Sequence, residues 1–228
     1  CVHQYAREGM LSEIYGVTNW DYDFKGHKLQ GDFQAALGVT IRVPHLSWMT
    51  MKGEAKRDYP ASIFFQSPWY REYPLIENHF ARLNTVMTRG RCVVRIGVIH
   101  PVESFWLLWG PKQQTAARRE QAETDFSNLV EWLLFGLLDF DFVSESLLPS
   151  LDGGGVPLKV GEMAYDVIVV PPCITLRRST VQILTRFMQA GGDVVFFGDP
   201  PVLVDALPSD DARALWTSAR HFAFDRIH

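Results

Sequence analysis

The sequence predicts an α/β protein built around parallel sheet, and three observations carry that prediction. Near-continuous apolar runs such as "VVRIGVIHP", "YDVIVVPP" and "DVVFFGDPP" read as strands buried on both faces. Segments of helical spacing, several closed by glycine, separate them. The alternation also occurs twice, once over 9–48 and again from residue 91, with a long aromatic stretch between.

The first element is "GMLSEIYG" (9–16), a strand ending on glycine. A loop then spends Trp20, Asp21, Tyr22, Asp23 and Phe24 where a mere connector favours Gly, Ser, Pro and Asn, so it reads as a contact surface. "GHKLQGDFQAALG" (26–38) predicts a helix with Leu29, Phe33, Ala36 and Leu37 on its core face and Gly38 as its stop. "VTIRVPHLSW" (39–48) is the next strand, and two strands joined through a helix imply parallel pairing. Residues 50–75 lack sustained periodicity and are dense in Tyr, Trp, Phe and Pro, the mark of a functional loop or linker. "IENHFARLNTVMTRG" (76–90) predicts a helix with Ile76, Phe80, Leu83 and Met87 on one side.

From residue 91 the strands are expected at 92–101, 140–146, 165–172 and 193–201, side by side in one sheet with 92–101 near its middle. "VESFWLLWGPKQQT" (102–115) reads as a loop, 117–138 as a strongly amphipathic helix, "DGGG" (152–155) as a plain turn, and "STVQILTRFMQAGG" (179–192) as a helix.

Composition removes several function classes. The 228 residues hold 22 basic and 26 acidic side chains, net charge −4, which gives no footing for nucleic acid or a polybasic membrane contact. The longest apolar candidate, "LVEWLLFGLLDFDF", is broken by Glu131 and Asp139 before it could span a membrane. Cys1, Cys92 and Cys173 have no metal-ligand spacing and cannot all pair internally, which favours a reducing compartment such as the cytoplasm. Cys173 follows a buried strand, but "VPPCITL" lacks the glycines a nucleophile elbow needs, so it reads as a small buried residue. Asp21 and Asp23 are too few for a cation site, and no cofactor or metal is expected. The chain opens on Cys1 in what reads as mid-domain sequence and ends at "FDRIH" without a closing element, so it is expected to be part of a longer protein.

"YDVIVVPPCITLRRSTVQILTRFMQAGGDVVFFGDPP" resembles the flavodoxin-like domain, also called the trimerization domain, that follows the catalytic barrel in family 42 β-galactosidases. That domain is similar in fold to class I glutamine amidotransferases. The likeness rests on the apolar strand ending in Pro171-Pro172, the helix closing on Ala190-Gly191-Gly192, and the strand ending at Gly198. Upstream, "GHKLQGDFQAALGVTIRVPHLSW" resembles the last helix and strand of the (β/α)8 barrel in such enzymes, and "QSPWYREYPLIENHFARLNTVMTRGRCVVRIGVIHP" is similar to the barrel exit of family 106 α-L-rhamnosidases. The resemblance implies an α/β fold of two parts: the last βα units of a (β/α)8 barrel over 1–75, then, past a connecting helix at 76–90, a flavodoxin-like domain over 91–228.

On that resemblance 39–48 is the eighth barrel strand, "GMLSEIYG" the seventh, and Glu13 sits at the end that faces the active site. The resemblance then implies a glycosidase in which Glu13 is the nucleophile of a retaining reaction or the general base of an inverting one, with the acid/base carboxylate upstream of Cys1. The other reading of Glu13 is a solvated strand-end glutamate. Trp20, Tyr22 and Phe24 stack on a sugar or pack on the barrel rim, and Asp21 and Asp23 are candidates for sugar hydroxyls. His27 opens a helix beside Lys28, where a cation opposes the dipole, which hints at a binding role against plain surface. His45 and Trp48 follow the eighth strand, and Gln66, Trp69 and Tyr70 lie in the aromatic loop; all five are candidate substrate contacts. The implied partner is a carbohydrate substrate, and the resemblance leaves open a homo-oligomer through the flavodoxin-like domain. A reading from a different class is a non-catalytic flavodoxin-like module for assembly or ligand binding.

Overall fold

The computed structural model describes residues 1–54 and 62–224, so 55–61 of the expected aromatic loop and the last four residues lie outside it. The chain divides into two compact units. One comprises Arg7–Cys92 with Val2; the other comprises Val93–His228 with Cys1 and His3–Ala6.

The Arg7–Cys92 unit begins with β1 (Met10–Ile14), α1 (Phe24–Ala36) and β2 (Val39–Pro44), and β1 pairs β2 in parallel with Glu13 opposite Val43. A single turn of tight helix at Tyr70–Glu72 leads into α2 (Pro74–Met87), whose proline in the first turn spares an amide that has no helical partner. Ile76 and Phe80 of α2 are buried, as the spacing predicts, whereas Met87 is exposed.

The buried face of α1 is not the one the apolar spacing predicts. His27, Gly31 and Ala35 point inward, while Leu29 (69 % exposed), Phe33 (60 %) and Leu37 face solvent. Gly31 explains the choice: the Phe80 ring occupies the space a side chain would need, and a Cβ there would lie 2.1 Å from Phe80 Cζ. The helices approach on the glycine, so the apolar stripe is turned away.

In the second unit β3 (Ile96–His100) leads to α3 (Val102–Leu107) and α4 (Lys112–Phe135). The expected loop at 102–115 is thus partly helical: Pro101 and Pro111 are not breakers here but stand at the N-caps of α3 and α4. Nor is α4 strongly amphipathic, since only Leu129 and Leu133 are buried and Phe135 is exposed. Then come β4 (Phe140–Ser144), α5 (Leu148–Leu151), and β5 (Asp152–Gly154), β6 (Leu158–Val160) and β7 (Met163–Tyr165), which form a small antiparallel sheet. The expected plain turn at 152–155 is therefore a strand running into a turn, with Gly154 and Gly155 at positive φ. The remaining elements are β8 (Val167–Val170), β9 (Thr175–Leu176), α6 (Arg178–Gln189), β10 (Asp193–Phe197), β11 (Leu203–Val204), β12 (Leu207–Pro208), α7 (Asp211–Ser218) and β13 (Arg220–Phe222).

The main sheet runs β4-β3-β8-β10-β13, parallel throughout. All four expected strands lie in it, but β8 rather than 92–101 is central, because β13, unforeseen in the sequence, adds a fifth strand at the far side. Numbered along the chain, the order is 2-1-3-4-5, with its reversal between β3 and β8. Val98, Ile168, Val170, Val194 and Phe196 are almost fully buried, as both faces of a covered parallel sheet require. The segment His3–Ala6 is tied to this unit: His3 Nδ1 lies 2.7 Å from Asp141 Oδ1, and Gln4 Nε2 donates to the hydroxyl of buried Tyr165 at 2.9 Å.

Candidate functional site

The candidate residues all belong to the Arg7–Cys92 unit, and the pleat of β1 explains where Glu13 points. Alternate residues of a strand share a face. Ser12 and Ile14 are drawn inward, whereas Leu11 and Glu13 are exposed. Register sets Leu11 beside Ile41 and Glu13 beside Val43, so one face of the strand pair carries Leu11 (61 % exposed), Ile41 (46 %), Val43 (42 %) and the Glu13 carboxylate. That carboxylate has no hydrogen-bond or ion-pair partner among the described residues.

The backbone after Glu13 is held in unusual conformations. Tyr15, Val17 and Asn19 all have positive φ, at 78°, 58° and 83°. For Val17, a β-branched residue, this is costly, and such strain concentrates at sites where a loop must present particular groups. The turn at Tyr15 buries both Ile14 and Tyr15, and the Tyr15 hydroxyl donates to the carbonyl of His27 at 3.1 Å. It also accepts from Arg42 Nη1 at 3.0 Å. Arg42 in turn reaches Glu77 at 3.0 Å and lays its guanidinium 3.8 Å from the centre of the Phe80 ring. Tyr15 and Arg42, unassigned from the sequence, are thus what fixes the loop behind Glu13. Their one signal was an arginine inside the otherwise apolar run "VTIRVP".

Two groups of the candidates come together. Trp20 meets Trp48, with ring centres 5.4 Å apart, joining the loops that follow β1 and β2. Gln66 donates to the Trp48 carbonyl at 2.6 Å and accepts from Ser62 at 2.7 Å, which commits both ends of its amide to holding that loop. His45 continues the strand pairing through its amide to the carbonyl of Ile14 at 2.7 Å, and its imidazole packs over Gly16.

The second group is a ring cluster centred on His27, which is fully buried. Tyr15, Tyr22, Trp69 and Tyr73 surround it with ring centres 4.5, 4.6, 5.4 and 5.7 Å away. Its Nδ1 donates to the Asp23 carbonyl at 2.7 Å, its Nε2 is buried without a partner, and burial lowers its pKa. A neutral imidazole among rings does not oppose the dipole of α1, which removes the reason that singled it out. Asp23 caps α1, accepting from the Gly26 amide at 2.9 Å. Asp21 is exposed, and the Tyr70 ring packs near Phe64 at 6.0 Å between ring centres, while the Tyr70 carbonyl accepts from the amide of Tyr73 at 3.3 Å. Among the described residues no group of three or more His, Cys, Asp or Glu could hold a metal ion, and no helix is long and apolar enough to cross a membrane.

No protein-family model matches the chain, and no curated protein matches it. One solved structure that resembles it is that of a rhamnosidase from Novosphingobium sp. PP1Y. The TM-score is 0.57 over 95 % of this chain, at 16 % identity. This chain spans only 20 % of that protein's length. At so low an identity the likeness concerns fold: a mixed α/β arrangement with parallel strands.

In the second unit Cys173 packs at the edge of the core, and burial pushes its thiol well above the ordinary cysteine range, with the charge of Glu145 adding to the effect. A thiol so disfavoured as thiolate is a poor nucleophile.

Proposed function

We propose that the chain is part of a glycoside hydrolase, with Arg7–Cys92 the last βα portion of a (β/α)8 barrel, Val93–His228 a flavodoxin-like domain, and Glu13 a catalytic carboxylate. The observation that carries this reading is the uncovered face of the β1–β2 pair. An apolar pleat of Leu11, Ile41 and Val43 belongs inside a closed barrel, and a carboxylate at the carboxyl end of such a strand stands where barrel enzymes keep their chemistry. The strained backbone after Glu13 and the fold likeness to a rhamnosidase support the same reading. The 2-1-3-4-5 strand order is that of flavodoxin-like sheets.

In this reading the sugar lies against the Glu13 carboxylate. Trp20, Trp48 and His45 stand at the rim, Asp21 is the free hydroxyl acceptor, and Gln66 and Asp23 hold the loops that carry them. His27, Trp69 and Tyr70 support the rim from behind. With a proton-donating carboxylic acid about 5 Å away, Glu13 attacks the anomeric carbon while the acid protonates the departing oxygen, and water later releases the sugar. With the acid roughly 6.5–9.5 Å away, Glu13 instead takes a proton from the attacking water. The acid itself is expected from a strand preceding Cys1.

The test is Glu13→Gln in the intact protein, assayed on aryl glycosides. Turnover should fall on the order of 10³-fold or more while sugar binding persists. The anomer first released, read by proton NMR, separates nucleophile from base. Near wild-type hydrolysis by the variant would leave Glu13 a plain strand-end glutamate.

The competing reading, a non-catalytic module for assembly or ligand binding, draws on the second unit, which has a full five-stranded sheet and its own core. A homo-oligomer through that unit belongs to the same reading.

A further inference from the structure

In open parallel sheets, ligands settle outside the carboxyl ends of the strands where the strand order reverses. Here that point lies between β3 and β8, and a crevice of about 1110 Å³ opens over the carboxyl ends of β3, β8 and β10. Its walls come from α3, α4, the turns after β8 and β10, α7, and β13 with the residues that follow it. Gly198, at positive φ after β10, lets Pro172 close in, since a Cβ there would stand 3.3 Å from the proline ring.

The strand-end turns decide the kind of ligand. A phosphate at such a crevice is normally cradled by backbone amides. Pro101 follows β3, Pro171 and Pro172 follow β8, and Pro200 and Pro201 close the turn after β10, so none of these positions has an N–H to offer. Two amides that remain are already engaged, Ile174 by the Ser104 hydroxyl at 3.1 Å and Gly198 by the Phe222 carbonyl at 2.8 Å. Of the charged side chains that line it, Asp125 and Asp199 outweigh Arg118, so the crevice does not draw an anion.

What the crevice does offer is side chains. Arg118 and Asp199 have no hydrogen-bond or ion-pair partner among the described residues, and the Gln121 amide, which donates to Asp125 at 2.7 Å, keeps its carbonyl. Phe105, Leu108 and Trp216 supply apolar wall. By contrast, in the groove along α6 and α7 the cations are spent on neighbours: Arg178 on Asp205 and Asp211, Arg186 on Asp152.

We infer that this crevice is a carbohydrate-binding site, taking a neutral mono- or disaccharide whose hydroxyls meet Arg118, Gln121 and Asp199 and whose C–H face meets the apolar wall. Planar, two-pronged side chains suit vicinal hydroxyls, and a neutral polyol needs no amide cradle. The choice of a sugar over other polyols rests on the glycosidase reading above.

The experiment is an NMR titration of the intact protein carrying Glu13→Gln, read at the Trp216 indole N–H inside the crevice, with D-galactose, D-glucose and L-rhamnose as probes and FMN and ATP as contrasts. At least one sugar should bind with Kd on the order of 1 mM, and Arg118→Ala with Asp199→Ala should weaken it about tenfold with no shift in melting temperature. The inference is overturned if no sugar saturates by about 50 mM, if binding is unchanged in the double variant, or if FMN or ATP binds in preference. A Glu13 variant that loses hydrolysis while the crevice stays silent would sink this inference alone. A binding crevice beside an unaffected Glu13→Gln rate would sink the other.

Discussion

Glu145, just past β4, should make the second unit less stable as pH rises from 4.5 to about 7. It is 1 % exposed, and burial raises its pKa from 4.5 to about 7, with the nearby Glu103 charge pushing the same way. The amide of Arg177, donating to Oε2 at 2.7 Å, and the Arg177 charge pull it back only in part. Below pH 4.5 the carboxyl is protonated in both folded and unfolded chains and costs nothing. Between 4.5 and about 7 the unfolded chain gives up the proton while the folded one keeps it, so stability drains away as pH rises. At about 1.4 kcal/mol per pH unit, the loss comes to roughly 3 kcal/mol by pH 8. Glu145→Gln keeps an oxygen for the Arg177 amide and removes the titration. Urea unfolding at pH 5 and pH 8, followed by tryptophan fluorescence, should show wild type losing about 2–3 kcal/mol more than the variant between the two pH values. Equal losses in both proteins would refute the reasoning, because only the wild type carries this proton.

Gly31→Ala should destabilise the Arg7–Cys92 unit by about 1–3 kcal/mol despite the better helix propensity of alanine, since its Cβ would overlap the buried Phe80 ring; in a Phe80→Leu background the penalty should largely vanish, and a thermal double-mutant cycle reads the coupling. Asp23→Ala removes the cap of α1 and should cost about 1 kcal/mol in thermal unfolding, with Asp23→Ser recovering most of it.

The strands of the main sheet were legible because burial on both faces writes itself as unbroken apolar runs, and "YDVIVVPP" and "DVVFF" have no other comfortable reading. β5, β6 and β7 were not, since three-residue strands leave no period to detect. α3 was missed because a helix of six residues completes fewer than two turns, too few for a helical period to show. At the candidate site the strand end at Glu13 and the density of rings after it were visible in the sequence. The sorting of those rings, Trp20 onto Trp48 but Trp69 onto His27, was not, because it depends on partners 28 and 42 residues apart that no local spacing records.

The misassigned face of α1 bears on function as much as on folding. Periodicity marked Leu29, Phe33 and Leu37 as core, and Gly31 shows why the helix instead meets α2 on its small-residue side. Those apolar residues nevertheless remain, in line along one flank, as do Leu11, Ile41 and Val43 on the open pleat of the strand pair. A small soluble unit seldom keeps contiguous apolar surface without a use for it. In a (β/α)8 barrel each strand pair turns one face to the interior, and each helix leans on the helix before it as well as the one after. On the proposed barrel reading, the two uncovered faces of this unit correspond to those two contacts. The sequence spacing, wrong about what α1 meets within these residues, fits what the proposed barrel would bring against it, and on that proposal Glu13 lies on the face that closure would turn into an active-site wall.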